Sequence, residues 1–257
     1  MKAAFAGVIA LIAAWTLAST SAQAANPSAL WEIVNGKCVP DEQAQRDPSP
    51  CSLVDLANGE AKGYVVLKDR DGATQFLLIP TARISGIEDP QILDPEATNY
   101  FDEAWQERYF VEERLGTPVP RNAMTLAINS VTGRSQNQLH IHIDCIRPDV
   151  KAILDANLDK VQGVWTPFPI PLLGHTYRSI RINSDTLSDT NPFRVLADQD
   201  PSASADMGHH TLVVVGANFP DTGDGFVLLD DKTDIAKGDF ASGEELQDHG
   251  CKIMQKG

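Results

Sequence analysis

From Gln138 to Ile143 the chain reads Gln-Leu-His-Ile-His-Ile, polar and apolar side chains in strict alternation. A period of two predicts a strand, here extended to Ile146, with Leu139, Ile141 and Ile143 on a core face and Gln138, His140 and His142 on the other. Comparable β-rich runs fall at Tyr64 to Lys68 and Gln75 to Ile79, with Asp71-Gly72 as a hairpin turn between them, and at Ala123 to Asn129. Further strands are expected at Tyr177 to Ile182, His210 to Gly216 and Phe226 to Leu229, the last two as a pair. Helical spacing marks Asn99 to Leu115, where Phe101, Ala104, Trp105, Tyr109 and Leu115 form an apolar stripe that Gly116 and Pro118 close. Ser28 to Asn35 predicts a short helix capped by serine. Pro148 to Val161 predicts a helix opened by proline, and Glu244 to Asp248 a terminal helical turn. Trp165 to Leu173 holds three prolines and reads as a constrained loop. Hairpins and helices in runs, without βαβ alternation, predict an α+β fold with an antiparallel sheet. A hairpin-like pair toward each end leaves a decayed two-halves arrangement open.

The N-terminus breaks this pattern. One basic residue, Lys2, precedes an apolar run from Ala3 to Leu17, and small residues stand at Ala22-Gln23-Ala24. This is the layout of a secretory signal cut before Ala25; an uncleaved membrane anchor is the alternative. Residues 1–24 are therefore expected to be a signal or anchor and residues 25–257 one exported domain. An anchor would hold that domain on the periplasmic side of the inner membrane, and cleavage would release it into the periplasm. Export makes two disulfides the default for Cys38, Cys51, Cys145 and Cys251, in any of three pairings. Cys38 and Cys51 flank the polar run Val39 to Pro50, expected as a clipped loop, and that pairing leaves Cys145 to Cys251. A metal role for these cysteines has little support, because no C-x-x-C spacing occurs.

The chain has 35 acidic and 21 basic residues, a formal charge of −14. That balance argues against nucleic acid, whose binding depends on phosphate neutralisation by Lys and Arg. It leaves room for a phosphorylated small molecule where a few basic residues converge; Lys68, Arg83, Arg134 and Arg147 are the candidates.

The polar row of the histidine strand admits three readings: a surface strand with incidental histidines, two ligands of a metal site, or a nucleophile with its supporting groups. A metal site needs a third ligand, for which His175, His209, His210 and His249 qualify by type only. Nucleophilic attack on phosphorus needs a neutral imidazole of fixed tautomer and donors for the non-bridging oxygens. Asn129-Ser130 and the Thr132-Gly133 turn, just upstream, offer amide, hydroxyl and backbone donors suited to an anion.

A strand of alternating histidines after a glycine-serine turn resembles the histidine-triad superfamily. The blocks DPSPC, GYVVLKD, FLLIPTARISG, LAINSVTGRSQN, HIHIDCIRPDV and EELQDHGC, in that order from Asp47 to Cys251, resemble one member family, the bacterial CDP-diacylglycerol pyrophosphatases. The resemblance implies a histidine-triad-like fold and hydrolysis of CDP-diacylglycerol, met at a membrane surface, to CMP and phosphatidate, with no cofactor. It places the nucleophile on His140, a polarising histidine on His142, and glutamine, at Gln138, where a histidine is more usual. Ser135 then matches the turn hydroxyl beside the phosphate, Asn129 the nucleotide-contacting amide, and Gly133, Arg134, Lys68 and Arg83 complete the expected substrate contacts. Trp165 to Leu173 is the expected lining of an acyl channel. Nucleotidyl transfer to another acceptor, or an exported metal- or ligand-binding protein, are the alternative functions.

Overall fold

The computed structural model describes residues 26–255, so the expected signal or anchor at 1–24 lies outside the described residues. The alternating runs build one antiparallel sheet, whose strands are β1 Leu53–Asp55, β2 Tyr64–Lys68, β3 Phe76–Pro80, β4 Met124–Ile128, β5 Ile141–Cys145, β6 Thr166–Pro167, β7 Arg178–Ile182, β8 His210–Phe219 and β9 Gly223–Lys232. Their order is β1-β2-β3-β5-β4-β8-β9-β7-β6. The helices are α1 Ala29–Ile33, α2 Val39–Gln45, α3 Tyr100–Gln106, α4 Tyr109–Leu115, α5 Pro148–Asp155, α6 Pro192–Gln199 and α7 Pro201–Ser204. The architecture is α+β, and no described helix is long and apolar enough to cross a membrane.

One face of the sheet buries Val66, Leu78, Ile141, Ile143, Leu126, Val214 and Leu228 against Phe101 and Trp105 of α3 and Phe193 and Leu196 of α6. This is the face to which Leu139, Ile141 and Ile143 were assigned, and it is fully covered. The opposite face is covered in two separate places. At one end Val65, Leu67, Leu77 and Ile79 pack on Val34, Cys38 and Val39; at the other Ala127, Val213, Val215 and Leu229 pack on Val150 and Leu154 of α5. The register runs Leu77 to His142 to Ala127 across the seam between those two clusters. His142 therefore stands where the helical cover is interrupted.

Several elements depart from their expected bounds for identifiable reasons. The Val39 to Pro50 run is largely helical, α1 continuing through a π-helical turn, Val34–Cys38, into α2. Pro40, within the run expected as a loop, sits in the first turn of α2 with Asp41 and Glu42, where proline and acidic groups favour a helix start. Ser28 precedes α1 without capping it through its side chain. The Asn99 to Leu115 helix is two helices. Asn99 caps α3, but Glu107 leaves the helix and its Oε1 accepts from the Tyr64 hydroxyl at 2.9 Å, and Tyr109 turns toward solvent. The ladder of β5 starts only at Ile141, because the N–H of Leu139 donates to Ile84 O and the Gln138 side chain is spent on neighbouring carbonyls.

Both disulfides are formed, Cys38–Cys51 and Cys145–Cys251, across sequence separations of 13 and 106. The second fastens the C-terminal segment to the end of β5. Gly72, in the loop between β2 and β3, has φ +75° and lies so close to His249 that a Cβ would stand 2.4 Å from that residue's Cβ. Only glycine lets this loop meet the C-terminal segment, where Ala73 N donates to His249 O at 2.8 Å.

Candidate active site

The interrupted cover opens into a cavity of about 490 Å³. Its polar wall includes His140, His142, Asn129, Gly133, Arg134, Ser135, Lys68 and Glu244. Its apolar wall is Ala29, Leu30 and Ile33 from α1, Pro50, and Leu67 and Leu77 from the sheet. Apolar bulk with a few convergent polar groups is the usual make-up of a small-molecule site of this size.

His140 is buried, and its Nδ1–H donates to the backbone oxygen of Gln138 at 2.7 Å. That bond leaves the lone pair on Nε2. Burial first, and the neighbouring His142 second, lower the pKa of His140 to about 4, so the ring is neutral at physiological pH. The two imidazoles meet edge to face, 4.9 Å between centroids.

His142 is held from both sides. Gln75 Nε2 donates to its Nδ1 at 2.9 Å, which puts the proton on Nε2. Nε2 stands 2.9 Å from Glu244 Oε2, a close approach to the carboxylate off the line of a straight hydrogen bond. Glu244 also accepts from Asn129 Nδ2 at 2.6 Å, while its own N–H donates to Asn129 Oδ1 at 3.2 Å. Burial pulls the Glu244 carboxyl upward, but His142, Asn129 and His249 outweigh it and hold it at about 2. Behind this pair, His249 Nδ1 donates to Asp144 Oδ2 at 2.9 Å, and Thr74 Oγ1 donates to Asp144 Oδ1 at 2.7 Å. The bond to Asp144 raises the His249 pKa.

The structure brings together most of the residues expected from the sequence and separates a few. His140, His142, Ser135, Asn129, Gly133, Arg134 and Lys68 share the cavity. Among the described residues, the N–H groups of Arg134, Ser135 and Gln136 find no internal acceptor, and all three residues line the cavity. The N–H of Gly133 is taken by Ser130 Oγ at 3.0 Å. Gln138 is outside the cavity: fully buried, it donates from Nε2 to Pro80 O at 3.0 Å and Ala82 O at 2.8 Å. Arg134 is committed to Glu88, with both contacts at 2.6 Å, so its charge is largely neutralised. Lys68 donates to the carbonyls of Asp69 and Gly72, and burial lowers its pKa. Arg83 lies over the Trp31 ring, 5.2 Å from its centroid, and Arg147 pairs with Asp149; neither lines the cavity. Trp165 to Leu173 is also elsewhere. Phe168 and Leu172 belong to the core over α5, so the apolar wall is built from α1, Pro50 and the sheet instead.

Gln75, Thr74, Asp144 and Glu244 were not expected in the site, and His249 was expected only by type, as a third metal ligand. The signal for the last two was the Cys145 to Cys251 pairing, which necessarily brings the residues just before Cys251 to the end of the histidine strand.

The chain matches the family model for CDP-diacylglycerol pyrophosphatase over residues 25–255. It is 45% identical over 229 residues to a CDP-diacylglycerol pyrophosphatase of Yersinia pestis, covering 89% of this chain and 86% of that protein. With the match spanning both walls of the cavity and every residue of the His140–His142–Glu244 cluster, the chain belongs to the CDP-diacylglycerol pyrophosphatase family.

Proposed function

We propose that this chain hydrolyses the diphosphate bond of CDP-diacylglycerol to CMP and phosphatidate, with His140 as nucleophile. The observation that carries the role of His140 is its hydrogen bond to Gln138 O, which fixes a neutral imidazole with Nε2 as its free lone pair in a cavity with free backbone donors. In this reading Nε2 attacks the cytidylyl phosphorus. The P–O bond to the phosphatidate oxygen breaks and phosphatidate leaves with the electron pair. A cytidylyl-imidazole P–N bond remains, its positive charge shared with Gln138 O through Nδ1–H. Water then attacks the same phosphorus, the P–N bond breaks, His140 is restored and CMP departs, the water's proton passing to solvent. Splitting one displacement into two lowers each barrier. Ser135, the N–H groups of residues 134–136 and the Nε2–H of His142 receive the charge on the non-bridging oxygens, where each donor is worth on the order of 100-fold to 1,000-fold in rate.

The His-x-His spacing, with His140 just before β5 and His142 within it, and the backbone-fixed tautomer support a histidine-triad-like site. The wall of Leu30, Ile33, Leu67 and Leu77 is the seat for the start of the acyl chains. An N-terminal segment that anchors the domain on the periplasmic face of the inner membrane would bring this wall to the lipid.

The test is substrate labelled in the cytidylyl phosphate, reacted briefly and quenched in base. Acid-labile, base-stable label on the wild type that disappears in His140→Gly supports the reading. Full turnover by His140→Gly overturns it.

A further inference from the structure

The other half of the sheet carries a cluster that this chemistry does not use. Asp231 lies near the end of β9, Asp239 follows the 3-10 turn Ile235–Lys237, and His175 precedes β7. One ring nitrogen of His175 and one oxygen of each carboxylate all lie within 4.8 Å of one another. Asp231 is 5% exposed; its Oδ1 accepts from Lys232 N at 2.8 Å, and its Oδ2 has no donor among the described residues. His210, 3% exposed, lines the same cavity of about 400 Å³. Its Nδ1 donates to Asp230 Oδ1 at 2.7 Å, and its Nε2 is likewise without a partner among the described residues.

The cations nearby are engaged elsewhere. Lys232 pairs with Asp206 at 2.8 Å, Lys237 with Asp234 at 2.7 Å, and Arg178 with Asp200 and Asp230. Two buried carboxylates thus face one another, and among the described residues the cation-forming group beside them that is not paired elsewhere with an aspartate is the imidazole of His175. Isolated buried charge of this kind is costly unless a cation or a proton compensates it. His175 is itself braced: Glu245 Oε1 stands 2.7 Å from its Nδ1 and accepts from the Tyr177 hydroxyl at 3.0 Å. A carboxylate that fixes the ring is the usual companion of a metal-ligating histidine.

We propose that His175, Asp231 and Asp239 form a binding site for a divalent cation. One imidazole and two carboxylates suit zinc or manganese, with room in the cavity for water to complete the shell. The role is structural. The 3-10 turn Gly243–Leu246 carries Glu244, which faces His142, and Glu245, which holds His175, so a cation would steady the turn that serves both.

The experiment takes the full chain, strips it with chelator, dialyses it and titrates it calorimetrically with zinc or manganese chloride near neutral pH, magnesium serving as control. The expected result is one equivalent bound per chain with a rise in melting temperature. Binding should be at least about tenfold weaker in Asp231→Asn and Asp239→Asn, and unchanged in His209→Ala, a half-exposed histidine outside the cluster. Far-UV circular dichroism and a cooperative melt of the stripped variants report that they are folded. Should either Asn variant fail to fold, His175→Gln, on a loop, replaces it in the comparison. No binding by the wild type, or equal binding by wild type and these variants, overturns the proposal; the carboxylate pair would then be holding a proton.

Discussion

Gln138 offers its backbone oxygen to Nδ1–H of His140 at 2.7 Å while its own side chain donates to Pro80 and Ala82. One residue therefore sets the tautomer of the imidazole and ties that stretch of chain to the end of β3. Replacing it with alanine keeps the backbone oxygen and removes both side-chain bonds. Gln138→Ala should cost about 1–3 kcal/mol of stability and lower kcat without altering the pH profile. Denaturant titration and a pH–rate series check this; a displaced profile would instead assign Gln138 a proton-transfer role.

In the proposed role of His140 as nucleophile, its depressed pKa sets the acid limit of activity, and it adds to the acid sensitivity of the fold. Burial, then His142, holds it at about 4, against an unfolded value near 6.5. The unfolded chain takes up this proton first as pH falls. The contribution of His140 is therefore complete above about pH 6.5 and is lost progressively toward pH 4, roughly 3 kcal/mol in all. Stability measured at pH 7 and pH 4.5 should differ less in His140→Gln than in the wild type. In the wild type kcat/KM should stay level from pH 7 to about 5 and fall only as the imidazole protonates near pH 4.

The legible part of this molecule was its period-two patterning. Strict alternation at Gln138 to Ile143 put His140 and His142 on one side because a buried face tolerates no slip in register. The surroundings of those rings were less legible. Glu244 reaches His142 across 102 residues of chain, and Gln75 across 67, distances over which hydrophobic period says nothing. Two of the four basic candidates lie outside the cavity for a related reason. Arg83 and Arg147 have the right charge, but their positions are decided by the Trp31 ring and by Asp149. The Val39 to Pro50 run looked like a loop from its polar, proline-bearing composition, but proline at Pro40 also suits a helix start, and the helical turns of α1 before it decide the outcome.

Glu244 holds two members of the polar wall at once, His142 Nε2 at 2.9 Å and Asn129 Nδ2 at 2.6 Å. Glu244→Ala leaves Asn129 Nδ2 without its acceptor and removes the carboxylate beside His142 Nε2, a cost of about 1–3 kcal/mol. Expressed in the transition state, that is a fall of roughly 5-fold to 150-fold in kcat. Steady-state kinetics on wild type, Glu244→Ala and the Asn129→Ala double variant should show non-additive losses, since one network is being dismantled.

The two disulfides should differ in weight. Closing a short loop, as Cys38–Cys51 does, is worth about 3 kcal/mol in the chain-entropy account, and closing one near 100 residues, as Cys145–Cys251 does, nearer 5 kcal/mol. The longer bridge also carries function. Asp248 N donates to Cys145 O at 2.9 Å and His249 to Asp144, so the segment it fastens holds the groups behind His142. Paired serine substitutions of Cys145 and Cys251 should lower both melting temperature and kcat. The same change at Cys38 and Cys51 should lower stability less, and should act on KM through α1, which leads into the Cys38 turn.

The apolar wall gives the sharpest test of where the acyl chains begin. Leu30 and Ile33 of α1 line the cavity opposite His142, whereas Ile170, in the proline-rich loop once expected to serve, is exposed and outside it. An aspartate at position 30 or 33 places a charge against the first methylenes of a diacyl substrate. Burial of a side chain of that size is worth about 1.5–3 kcal/mol. Leu30→Asp and Ile33→Asp should therefore each lower kcat/KM for CDP-diacylglycerol by roughly 10-fold to 150-fold, chiefly through KM. A cytidine diphosphate ester without acyl chains never reaches that wall, so its kcat/KM should be unchanged in the same variants. Ile170→Asp should affect neither substrate. Equal losses on both substrates would mean that α1 shapes the nucleotide side of the cavity, and a selective loss in Ile170→Asp would return the acyl path to the loop.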